Sequence, residues 1–158
     1  MDARDLQNQY DMVRGNTLAY AKHFPPEMTR IVPDGFNNNI LWNLGHILTV
    51  QEMLLFFTKE PEHLPQSYLS LFGKDTKPAD WPDDVPSVEV IVQHLEEQIG
   101  RIKDHFFNRL DENLPQPFKM RGKEISTYGE MIMFSLYHEG MHTGYMMALK
   151  RALEKQAK

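Results

Sequence analysis

Apolar side chains recur every three to four positions in four separate stretches of this chain, the spacing of helices with one buried face. The first stretch runs from about Arg4 to Phe24, where Leu6, Tyr10, Val13, Thr17, Tyr20 and Phe24 alternate steps of four and three. Pro25-Pro26 ends it, because proline lacks the amide hydrogen that a helix needs. The second begins in Asn37-Asn38-Asn39, side chains suited to capping free amides, and continues through Ile40, Leu44, Ile47, Val50, Met53 and Leu54 to about Thr58. It is apolar around much of its circumference, which predicts deep burial.

The third stretch opens at Pro86-Ser87 and carries Val88, Val92, Leu95, Ile99, Ile102 and Phe106 on one stripe, ending near Leu110. Its other stripe, His94, Gln98, Arg101 and His105, reads as solvated. The fourth opens with Thr127-Tyr128-Gly129-Glu130, the spacing of a capping box. Its core stripe is Tyr128, Met131, Ser135, His138, His142, Tyr145, Leu149 and Ala152.

Helices of about 20 residues with no strong strand signal between them predict an all-α fold, a four-helix bundle. A single domain over residues 1–158 is expected at this length. One competing signal lies before the fourth helix, where Phe118-Lys119-Met120, Arg121-Gly122-Lys123 and Glu124-Ile125 within Pro117 to Ser126 could form a small hairpin. Lys59 to Val85 reads as a long loop between the second and third helices, and it holds Tyr68, Leu69, Leu71, Phe72 and Trp81. Loops of that length often serve as lids or binding segments.

A net charge of -5 excludes a nucleic-acid sleeve, which needs a basic stripe to displace counterions from phosphates. The N-terminal residues lack the apolar core of a signal peptide, and no apolar run approaches the ~20 residues of a membrane span. The expectation is a cytoplasmic protein away from membranes. With no cysteine in the chain, disulfides and thiolate ligands are excluded, so a metal would be held by nitrogen and oxygen.

That turns attention to the seven histidines, and above all to His138-Glu139-Gly140-Met141-His142. Imidazoles at i and i+4 lie one helical turn apart and can grip one ion. A third ligand must come from elsewhere. The best candidate is His46, which shares a stripe of the second helix with Asn39, Asn43, Val50, Met53 and Phe57. An isolated core-facing histidine is ordinarily a hydrogen-bonded structural residue. Two in one apolar stripe leave two rings to satisfy, and a metal is then the economical explanation.

The run is also H-E-x-x-H, the pattern of zinc peptidases whose glutamate activates water. Those enzymes take a further ligand downstream, whereas no histidine follows His142 here. Glu139 therefore has two open readings, a general base beside the ion or a salt-bridged helix residue. Gly140 and Gly144 are costly inside a helix and suggest close approach of a neighbouring helix or a ligand. His23, His63, His94 and His105 stand apart, and the methionines of the fourth helix read as adaptable core.

The run Trp42-Asn43-Leu44-Gly45-His46-Ile47, followed by Gly122, Thr127 and His138 to Gly144, resembles the DinB/YfiT-like family of metalloenzymes over nearly the whole chain. The resemblance implies a four-helix bundle, commonly a homodimer, in which histidines matched by His46, His138 and His142 hold a divalent ion such as zinc or nickel. Iron or copper would also accept such ligands. Where the family often continues with Arg-Gly-Gln, this chain has Thr143-Gly144-Tyr145. Some members are thiol S-transferases and others thiol-dependent isomerases. The expected function is thus a metal-dependent enzyme that activates a low-molecular-weight thiol, or water, toward a small-molecule substrate. Asn39, Asn43 and Tyr145 are the candidates for holding substrate or supporting the ligands. The alternative is a stress-associated bundle in which the metal is purely structural.

Overall fold

In the computed structural model, which describes residues 2–58 and 62–157, four long helices carry the fold. Helix α1 (Ala3–His23) starts where the Asp2 carboxylate accepts the Asp5 amide at 2.8 Å, and a single turn, α2 (Pro26–Thr29), follows it. Helix α3 (Ile40–Phe56) is buried along nearly its whole length and packs against α1's partners α5 (Val88–Phe106) and α6 (Tyr128–Gln156). Thr127 and Glu130 close the expected capping box at the start of α6, with the Thr127 amide donating to Glu130 Oε2 at 3.1 Å.

The segment expected as a long loop is partly folded into the core. Residues 59–61 lie outside the described part, but α4 (Ser67–Phe72) buries Tyr68, Leu71 and Phe72 against α3. Their i, i+3, i+4 spacing is helical, yet a helix this short, flanked by Pro65 and Gly73, leaves too few periods to stand out. Trp81 then tethers the return path, its indole donating to the Leu71 carbonyl at 2.8 Å.

The hairpin before α6 is present and longer than expected, with β1 (Asn113–Met120) antiparallel to β2 (Lys123–Thr127). Arg121 and Gly122 at its tip have φ of 49° and 74°, the doubly left-handed conformation of a two-residue turn that matches strand twist. Pairing of Phe118 with Ile125 and of Met120 with Lys123 puts these side chains on one face. That face meets α6, where the Phe118 and Phe134 rings lie 5.4 Å apart.

Two apolar clusters fill the bundle. One gathers Ile40, Leu44, Leu48, Phe72, Ile91, Leu95 and Leu149, and the other Leu6, Tyr10, Leu55, Ile102, Phe106 and Met131. Each such aliphatic side chain contributes roughly 1.5 to 3 kcal/mol on burial. In every long helix a polar residue intervenes between the two clusters: Arg14, Gln51, Gln98 and Glu139, all at most 2% exposed.

This layer corrects the stripes read from periodicity. In α1 the buried positions include Arg14 and Ala21, while Val13 is half-buried and Tyr20 is exposed. In α5, Gln98 is fully buried rather than solvated. Every nitrogen of the Arg14 guanidinium donates: Nε and Nη2 to Glu139 at 2.9 and 3.1 Å, Nη1 to the Leu95 carbonyl at 3.0 Å and to Gln98, and Nη2 also to Gln51. Satisfaction of this kind is what makes burying a charge tolerable.

Candidate metal centre

Asn39 sets the start of α3, its Oδ1 accepting the Trp42 amide at 2.8 Å and its Nδ2 donating to the Arg30 carbonyl at 3.0 Å. It is a cap, as such a residue ahead of an apolar run commonly is. Two turns further on stands His46. Its neighbour Gly45 has no side chain because α4 docks there: a Cβ at residue 45 would lie 2.4 Å from the Phe72 ring. That close approach brings the Phe72 carbonyl within 2.7 Å of His46 Nδ1. Trp42, one turn earlier, stacks on the imidazole at 4.5 Å with 16° between planes.

His138 and His142 stand one turn apart on α6 with ring centroids 4.6 Å apart, and they lie 5.2 and 4.7 Å from the His46 ring. One nitrogen from each of the three rings falls within 4.8 Å of the others. His142 Nδ1 is 2.7 Å from Asn43 Oδ1. The Asn43 amide nitrogen donates to the Asn39 carbonyl at 2.8 Å, which leaves its oxygen facing the imidazole.

Carbonyl and amide oxygens can only accept, so Nδ1 of His46 and of His142 must each carry the proton. Nε2 of both rings is then left as a lone-pair donor, the usual arrangement behind a metal-ligating histidine. Burial keeps the rings neutral. It pushes His46 below its usual pKa, against the Phe72 hydrogen bond, and lowers His138 to about 4 with help from the His46 charge. His142 falls to about 3, again chiefly through burial and then through His138 and His46. Three neutral nitrogens converging in this way can hold a metal ion.

Of the other residues singled out from sequence, Asn43 is in direct contact with this group and Asn39 is one hydrogen bond behind it. Tyr145 is exposed and packs edge-on against Phe36 at 5.7 Å. Glu139 turns away from the cluster, because adjacent residues point about 100° apart around a helix. Its two oxygens accept from Arg14, so the salt-bridged reading describes it and the H-E-x-x-H reading loses its base. Gly140 and Gly144 face open space, since a Cβ at either would meet nothing within 4 Å, so no neighbouring helix makes the close approach expected there. The close approach is at Gly45. The roles of Phe72, Gly45 and Trp42 were missed: Trp42 and Gly45 stood out only as part of the run that carries the resemblance, and Phe72 only as an apolar residue of the loop, although a glycine directly beside a buried histidine was a further signal.

The fold and the site together define a helical bundle with a three-histidine cluster shared between two of its helices. The chain belongs to the DinB superfamily, whose profile matches residues 9–146. It is similar in structure to a protein of Enterococcus faecalis described as the conserved protein of locus, at a TM-score of 0.59 over 96% of this chain and 97% of that one. At 14% identity that likeness shows the fold alone. No curated protein matches the chain significantly. Among the described residues no helix is long and apolar enough to cross a membrane.

Proposed function

We propose that this protein is a metal-dependent enzyme that activates a thiol, or failing that a water, for transfer to a small electrophile. The observation that supports this is the convergence of three histidine nitrogens within 4.8 Å, with the Nδ1 atoms of His46 and His142 already committed to oxygen acceptors. Zinc and nickel suit such a nitrogen-only set best, and iron or copper would also be accepted. A divalent ion held by neutral imidazoles keeps its full charge and lowers the pKa of a thiol or water near neutral pH.

The chain's own residues position and insulate. Phe72 and Asn43 fix the rotation of two ligand rings, and Trp42 shields one face of His46. Arg14 holds Glu139 out of the ligand set, which leaves three protein ligands and room for substrate.

Metal content of the purified protein by mass spectrometry tests the site. Stoichiometric metal is expected, lost in His46→Ala and His138→Ala and kept in His94→Ala; equal retention in all three would overturn the assignment. Conjugation of a panel of cellular thiols to a test electrophile, with and without chelator, tests the chemistry. Turnover that chelator does not affect would count against a metal-dependent reaction.

A further inference from the structure

Between the inner face of the hairpin and α6 lies a cavity of about 390 Å³, and His138 forms part of its wall. Its other walls are mostly apolar: Ile125 from β2, and Phe134, Tyr137 and Met141 from α6. Arg121 and Lys123, at the hairpin tip, also line it. The two-residue turn puts these cations here. Lys123 pairs with Met120 and shares its inward face, whereas Lys119 is on the opposite face in an ion pair with Glu124. Neither Arg121 nor Lys123 is in an ion pair among the described residues. In a chain of net charge -5, two unpaired cations beside an apolar cavity are a local reversal of sign.

We infer that this cavity is the substrate site and that it takes a small organic anion: an apolar body against Phe134, Ile125 and Met141, and a carboxylate or similar group read by Arg121 and Lys123. This deepens the proposed metal-dependent reaction and rests on it, because His138 belongs to both the cavity wall and the histidine cluster. A ligand lodged here has one part against a ligand ring and another against the hairpin cations. A neutral ligand of equal size would fill the same apolar volume without engaging the tip. Two solvent-exposed charge contacts give discrimination of about fivefold, weakened by salt.

The test uses the whole protein, zinc-loaded and chelator-treated, with octanoate, 1-octanol and octylammonium as probes. Methyl resonances of Met120 and Met141 are followed by NMR, and zinc is assayed in the same samples. Octanoate should shift both methyls and bind about fivefold more tightly than octanol at low salt, with octylammonium weakest. The Arg121→Gln/Lys123→Gln variant, altered only at exposed positions, should lose that preference while octanol binding is unchanged.

Equal affinities in the wild type would overturn the inference. So would octanoate binding that chelator removes and the double variant does not, since the ion and not the hairpin would then be reading the carboxylate. Dimerisation seen by sedimentation, with concentration-dependent shifts of the Met120 and Met141 methyls and no probe entering, would overturn it as well. Zinc retained without anion preference defeats this inference and spares the metal site, and anion preference in a protein that never holds metal does the reverse.

Discussion

Arg14 and Glu139 meet edge to edge in the centre of the bundle, Nε to Oε1 at 2.9 Å and Nη2 to Oε2 at 3.1 Å, with side chains 0% and 1% exposed. The contact ties α1 to α6 one residue from His138 of the histidine cluster. Burying both ions costs several kcal/mol each in lost hydration, and the forked geometry with its extra donors offsets that cost. The pair is therefore far more valuable intact than halved.

Arg14→Met should lower unfolding free energy in urea by about 3 to 5 kcal/mol, because it leaves the Glu139 carboxylate without a partner in the core. The double change Arg14→Met/Glu139→Leu should recover much of that loss, since no orphan charge remains. A single variant within about 0.5 kcal/mol of the wild type would show that the pair carries little.

The glycines divide by what surrounds them. Gly45→Ala drives a methyl into the Phe72 ring and should cost about 1 to 3 kcal/mol. It should also weaken metal binding by about tenfold, through displacement of the carbonyl that orients His46. Gly140→Ala and Gly144→Ala meet open space in a helix interior and should each stabilise by about 0.5 to 1 kcal/mol. Thermal melts with zinc titrations resolve both effects, and a shared sign across the three variants would contradict this packing.

Acidification should weaken the metal-free protein through the histidine cluster. His138 and His142 are lowered to about 4 and about 3 from an ordinary 6.5. Between those values the unfolded chain takes up protons that the folded chain refuses. Stability conferred by the neutral rings is thus fully present above pH 6.5 and is lost as pH falls toward the folded pKa values. Denaturant midpoints measured across that range, with chelator present, should slope less in His138→Gln/His142→Gln. Parallel slopes in the two proteins would contradict the burial of these rings.

Much of the fold was legible because α3, α5 and α6 have long periodic stripes, and because Thr127/Glu130 and Arg121-Gly122 have local chemistry that says where a helix starts and a strand turns. The polar layer was not legible. Arg14, Gln98 and Glu139 look like surface residues, since only their partners on other helices make them tolerable inside. The three histidines could be named in advance because imidazole is distinctive at any position. The oxygen behind His46 could not, because a backbone carbonyl is the same in every residue and Phe72 gives no sign of the use made of it. Glu139 shows the limit of a short motif: its side-chain type fits a base, and its direction is set by an arginine 125 positions away.

The histidine cluster joins residue 46 to residues 138 and 142, so it staples α3 to α6 across a long span of intervening chain. An ion held there closes that span as a disulfide would, in a protein that has no cysteine to make one. Such a link is undone by a chelator rather than a reductant. Metal supply would then govern how firmly the bundle is held shut as well as what it can react with.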